Sequence, residues 1–166
     1  VVITTDNDQA LAEKLADELA DRNWAIRKRK HPQPKSVDQA IAIARKARLR
    51  RKFGTVTFCD VSDVVGAGAP GANTNILREL LSQAPDLKSY IPVRDPDAAK
   101  VAWEAQPGDK VRLTVGGGID PQYNPEVEFE GEIMLRKETD WGKTTIVRHQ
   151  NVYMILTEGP FPGYFA

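Results

Sequence analysis

Hydrophobic and polar residues follow two different rhythms along this chain, and the change of rhythm divides it. In the first part, apolar positions recur at helical spacing. Leu11, Leu15, Leu19 and Ile26 share one face with Ala12, Ala16 and Ala20 beside them, which predicts a helix capped by Asp6 or Asp8 and running to about Arg27. Residues 1–4 are β-branched and predict a short strand ahead of it. His31-Pro32-Gln33-Pro34 stops the helix. Ser36-Val37-Asp38-Gln39 is a capping-box sequence that opens a second helix, with Val37, Ala40, Ile41, Ala44 and Leu49 along it. Residues 55–58 and 89–93 read as strands, the first of them buried. Arg94-Asp95-Pro96-Asp97 starts a further helix that ends at Gln106-Pro107-Gly108-Asp109.

From residue 110 the rhythm becomes period two. Residues 110–115 form a strand that runs into Gly116-Gly117-Gly118. Val127, Phe129, Ile133 and Leu135 alternate with Glu128, Glu130, Glu132 and Arg136, as on a half-exposed antiparallel strand. Trp141-Gly142 predicts a turn, with strands over 144–147 and 152–157 after it. The fold class is therefore α/β: a strand-helix alternating layer part over 1–106, then an antiparallel β-rich part over 107–166. Neither part buries much alone, so a single domain over 1–166 with one shared core is expected.

Between the predicted strand at 55–58 and the apolar helix of Ile76, Leu77, Leu80 and Leu81 lies the most distinctive stretch. Asp60, Ser62 and Asp63 stand at a strand's carboxyl end, where open α/β sheets place ligand crevices. Gly66, Gly68 and Gly71 allow positive φ or close approach to a ligand, and Asn73 or Thr74 can cap the following helix. A run of N–H groups ahead of a helix can cradle an anion or carboxylate, so these eight residues are the candidate substrate- or anion-binding set. Asp60 and Asp63 have a second reading, in which they hold the turn by accepting loop N–H groups. Gly66-Ala67-Gly68-Ala69-Pro70-Gly71 formally matches the dinucleotide-binding fingerprint. Seven residues separate the strand core from its first glycine, however, and Pro70 removes a donor, so a nicotinamide or flavin is disfavoured.

Charge adds little chemistry. The net charge is zero, yet residues 1–52 carry 13 Lys/Arg against 7 Asp/Glu. The basic runs fall at predicted helix C-termini, where cations complement the helix dipole. No aromatic residues interleave with them, which argues against nucleic acid. No apolar run has the roughly 18 residues of a membrane span, and no secretory signal is visible in the opening residues. The lone Cys59 excludes an internal disulfide and a Cys-based zinc site, and is expected as a buried, inert thiol. A cytoplasmic setting is the expectation. The chain starts at Val1 and reads as a piece of something longer or a processed product.

Several segments together resemble the C-terminal domain of the MlrC-type proteins, classed as zinc metallopeptidases. The segments are Thr5-Asp6-Asn7-Asp8, Ala10-Leu11-Ala12-Glu13-Lys14-Leu15-Ala16 and Ser36-Val37-Asp38-Gln39-Ala40. Asp60-Val61-Ser62-Asp63 follows, with Gly66, Gly68 and Ala69-Pro70-Gly71, then Asp95-Pro96-Asp97-Ala98 and Thr114-Val115-Gly116-Gly117-Gly118. The order is colinear over nearly the whole chain. Val64-Val65, Ala67, Ala72 and Gly118 depart from the family's usual Asn-Pro, glycine, acid and lysine.

The resemblance implies that zinc is bound by His and acidic residues of a preceding N-terminal domain of the parent protein. It also implies that this domain is the partner of the present chain, with a homo-oligomer open. Within the chain, His31 and His149 stand alone without metal-ligand spacing, so no metal ligand and no catalytic residue is expected here. Three functions stay open: an accessory domain shaping a metallohydrolase cleft, a non-catalytic anion-binding or assembly module, and a nucleotide-dependent enzyme.

Overall fold

The computed structural model describes residues 2–29 and 33–160. These fall into two compact units, residues 1–34 and 35–166. The first is built on α1 (Gln9–Ile26), whose N-cap Asp8 accepts a hydrogen bond from the Leu11 N–H at 2.9 Å. None of the α1 side chains is buried. Residues 2–5 are not a strand: the Asn7 N–H bonds to the Thr5 carbonyl and Asn7 takes a φ of 54°, so the chain turns directly into its cap. His31 and Pro32 lie outside the described residues.

The second unit contains α2 (Val37–Lys46), α3 (Asn75–Gln83), α4 (Pro96–Glu104) and five strands. The strands are β1 (Ser89–Arg94), β2 (Lys110–Val115), β3 (Val127–Thr139), β4 (Gly142–His149) and β5 (Val152–Thr157). The capping box of α2 forms in full, with Ser36 and Gln39 satisfying each other's backbone N–H groups. Asp95 caps α4 by accepting from the Asp97 and Ala98 N–H groups, and Pro96 occupies the first turn, where a missing N–H costs nothing.

One mixed sheet carries the unit, in the order β1-β5-β4-β3-β2. Only β1 and β5 run parallel; β2 through β5 form an antiparallel meander. The α/β reading holds. Residues 55–58, expected as a buried strand, are not one: they lie outside the sheet and are mostly exposed. Their β-branched composition favours extension, but extension becomes a strand only where a partner edge is open. The Arg94 N–H on the outer edge of β1 is already bonded to the Gly71 carbonyl at 2.8 Å. Cys59 is accordingly exposed rather than buried.

The sheet buries one face. Ile91 and Val93 of β1, Met154 and Leu156 of β5, Val147 of β4, Ile133 and Phe129 of β3, and Leu113 and Val115 of β2 all point to it. Leu77 and Leu80 of α3, Ala98, Ala99 and Ala102 of α4, and Ile41 and Ala44 of α2 complete that core. A bulge between Ile133 and Leu135 then reverses the facing of β3. Arg136 is thereby turned inward, where its guanidinium donates to the carbonyls of Trp103 and Ala105 at the end of α4. Those carbonyls have no partner within the helix, so the bulge supplies the helix terminus with a cation. No helix among the described residues is long and apolar enough to cross a membrane.

Candidate functional site

The chain leading into α3 is held by side chains rather than by strand pairing. A single 3-10 turn at Val65–Ala67 follows Val64, and the N–H groups of Ala67, Gly68 and Ala69 return to the carbonyls of Val64 and Val65. Asp63 then closes the loop: one carboxylate oxygen accepts the Gly71 N–H at 2.8 Å and the other the Asn73 N–H at 2.7 Å. The cradle that the sequence offers to an anion thus holds the chain's own carboxylate. Charge-assisted bonds to both oxygens make this a rigid clamp across eight to ten residues.

A second set of contacts lies beside it. The Ser62 hydroxyl donates to Asp60 at 2.6 Å, and the Asn73 amide donates to both Asp60 and the Ser62 oxygen at 3.1 Å. Asn73 also accepts the Asn75 N–H at 2.8 Å and so serves the start of α3. Thr74 occupies the N-cap position, but its buried hydroxyl donates instead to the Pro125 carbonyl at 2.6 Å. The eight candidate residues therefore sort by environment. Ser62, Gly66 and Gly68 are exposed, Asp60, Asp63, Gly71 and Asn73 are half-buried, and Thr74 is buried. Gly68 and Gly71 adopt positive φ, 96° and 74°, whereas Gly66 does not.

Residues outside the expected set complete the region. The second oxygen of the Asp95 carboxylate accepts the Gly116 N–H at 2.8 Å, tying the start of α4 to the 116–118 turn. Asn75 donates to the Tyr123 carbonyl at 3.1 Å, so the segment between that turn and β3 also buttresses α3. Arg94, the last residue of β1, bonds through its backbone to Gly71, and its Cβ adjoins that glycine. Its signal in the sequence was its place at a strand's end just before a helix cap; only topology shows that the end adjoins the glycine loop.

A concavity of about 220 Å³ elsewhere in the unit is lined by Leu81, Arg112, Glu128, Phe129, Glu130 and His149. It is smaller than the usual small-molecule pocket. The Thr114 hydroxyl and then Arg112 hold the Glu128 carboxyl below its ordinary range. His149 places Nδ1 2.6 Å from the Glu130 carbonyl oxygen and its ring edge-on to Phe129. The donor set of a zinc centre is not assembled: no group of three His, Cys, Asp or Glu side chains among the described residues could hold a metal ion.

Comparison with known proteins bears on the same region. Residues 58–162 match the family described as MlrC C-terminus, a span that contains the whole loop, the sheet and both of its helices α3 and α4. The chain is 30% identical to Microcystinase C from a Sphingomonas species over 136 residues, covering 80% of this chain and 26% of that protein. It also superposes on the crystal structure of a candidate metallopeptidase from Mesorhizobium sp. BNC1, with a TM-score of 0.73 and 28% identity. That alignment covers 91% of this chain and 32% of the other. The chain thus spans about a quarter to a third of the length of these relatives. On the extent of the family match, the chain belongs to the MlrC C-terminus family.

Proposed function

We propose that the chain is the accessory C-terminal domain of an MlrC-like metallohydrolase or metallopeptidase, in which the loop over residues 60–74 forms one wall of a substrate cleft. The metal, zinc by family resemblance, belongs to an N-terminal domain of the same parent polypeptide, in a cytoplasmic setting. One observation carries the reading: the family match contains a glycine-rich loop that is pre-shaped by Asp63, Asn73 and Thr74. Ser62, Gly66 and Gly68 form its exposed rim, and the bonded Asp60 and Asp63 carboxylates keep the rim in place. The role of these residues is to position a substrate and exclude water around it, with bond cleavage supported by the other domain. A fixed wall of this kind lowers the entropy cost of orienting the substrate.

The test compares the 166-residue chain with the full parent protein. Elemental analysis and peptide hydrolysis are expected to find stoichiometric metal and turnover in the parent alone. Tight zinc with peptide turnover by the isolated chain would refute the assignment. So would full parental activity after deletion of the present region.

A further inference from the structure

We infer that Arg94 binds the carboxylate of a ligand lodged against the glycine loop. This inference rests on the reading of that loop as a cleft wall and gives the ligand a chemical class. Arg94 ends β1, where Ile91 and Val93 point into the core and Tyr90 and Pro92 point to the opposite, exposed side together with Arg94. Its backbone N–H is bonded to the Gly71 carbonyl, and a Cβ added at Gly71 would lie 3.9 Å from the Arg94 Cβ. The stem of the arginine is therefore fixed to the same residue that Asp63 clamps from the other side.

The head is uncommitted. Nε is buried and has no hydrogen-bond partner, and no ion pair among the described residues includes Arg94. Nε is closed to an incoming oxygen, so a planar carboxylate is met by the two terminal nitrogens, which bond no group among the described residues, in one end-on bidentate contact. Among the described residues no carboxylate bonds Arg94. Asp63 is spent on Gly71 and Asn73, Asp95 on the α4 cap and Gly116, and Glu158 on the Lys143 N–H. In a peptide ligand the carboxylate is either the C-terminal one or that of an acidic side chain.

The experiment is a ¹⁵N–¹H NMR titration of the chain with three probes. They are N-acetyl-alanyl-alanine, N-acetyl-aspartate amide blocked at its C-terminus, and the neutral N-acetyl-alanine amide. Saturable shifts of the Arg94 Nε–H and Gly71 amide signals are expected with at least one carboxylate, at affinities on the order of millimolar. The preferred carboxylate identifies the source, and the neutral probe should bind roughly ten-fold more weakly or not at all. Arg94→Gln should abolish the response, and Arg94→Lys should leave a weakened one because the fork is lost while the charge stays. Equal shifts from the neutral probe, no response to either carboxylate, or an undiminished response in Arg94→Gln would overturn the inference. Should Arg94→Gln not fold, the comparison of probes on the unmodified chain decides alone. None of these readouts requires metal or turnover, so they stand apart from the test of the cleft itself.

Discussion

The chain carries two glycine-rich turns that look alike in one-letter code and differ in what their glycines do. In the turn over 116–118, a side chain at Gly116 would meet the Pro125 carbonyl at 2.7 Å and the Thr74 methyl at 2.8 Å. One at Gly117 would meet Glu126 at 2.5 Å. Both glycines also have positive φ. In the loop over 66–71, only Gly71 is crowded, by Val65 at 2.8 Å, whereas Gly66 and Gly68 face open space. The first turn is a packing joint between α3, α4 and β3. The second is a spur with a fixed root and a clear tip. The lesson is that glycine content marks both, but only at the tip is glycine unneeded by the packing of this chain. A surface kept free of side chains is what a ligand wall requires.

The contrast can be broken by substitution. The largest expected effect is Gly116→Ala, which combines positive-φ strain with a clash against backbone. A loss of about 3 kcal/mol is expected, measured as a shift in urea unfolding. If it unfolds within about 0.5 kcal/mol of the parent chain, the joint is not a joint. Asp63→Ala comes next, since it strands the Gly71 and Asn73 N–H groups; about 2 kcal/mol is expected, together with faster amide exchange at both. Gly71→Ala should cost about 1–2 kcal/mol, from positive-φ strain and a clash with a methyl of Val65 rather than with backbone.

Gly66→Ala should fall within about 0.5 kcal/mol of neutral while weakening the binding proposed for the loop. A large stability loss there would erase the distinction between root and tip. The smallest effect concerns β2, which feeds the packed turn. The depressed Glu128 carboxyl contributes stability above its ordinary value of 4.5, and that contribution fades as pH falls through the lower folded value. Thr114→Val should move the Glu128 titration midpoint upward in a ¹³C NMR series; an unmoved midpoint would remove the hydroxyl as the main cause.

Local signals in the sequence were legible wherever they decided structure locally. The Ser36–Gln39 reciprocal cap, the Asp95-Pro96 helix start and the alternation along 127–133 each translate directly into observed elements. Residues 55–58 show the limit. Their composition favours a strand, but pairing needs an open edge, and the Gly71 carbonyl already holds the β1 N–H that would begin one. The expected burial of Cys59 fell with the strand. At the site, the sequence identified Asp60, Asp63 and Asn73 and raised the possibility that the acids hold the turn. It could not show that Arg94, twenty or more residues on, returns to the same loop, because that depends on β1 reaching the sheet.

The parallel pairing of β1 with β5 has a consequence for how the polypeptide reaches its native state. The neighbour of β1 in the sheet is the last of the five strands, so residues 89–94 must wait for 152–157 to be available. Closing so long a segment is slow relative to zipping the hairpins over 110–157. Pulsed amide exchange during refolding should therefore find the meander protected first and residues 89–94 last, with the glycine loop maturing in step with them.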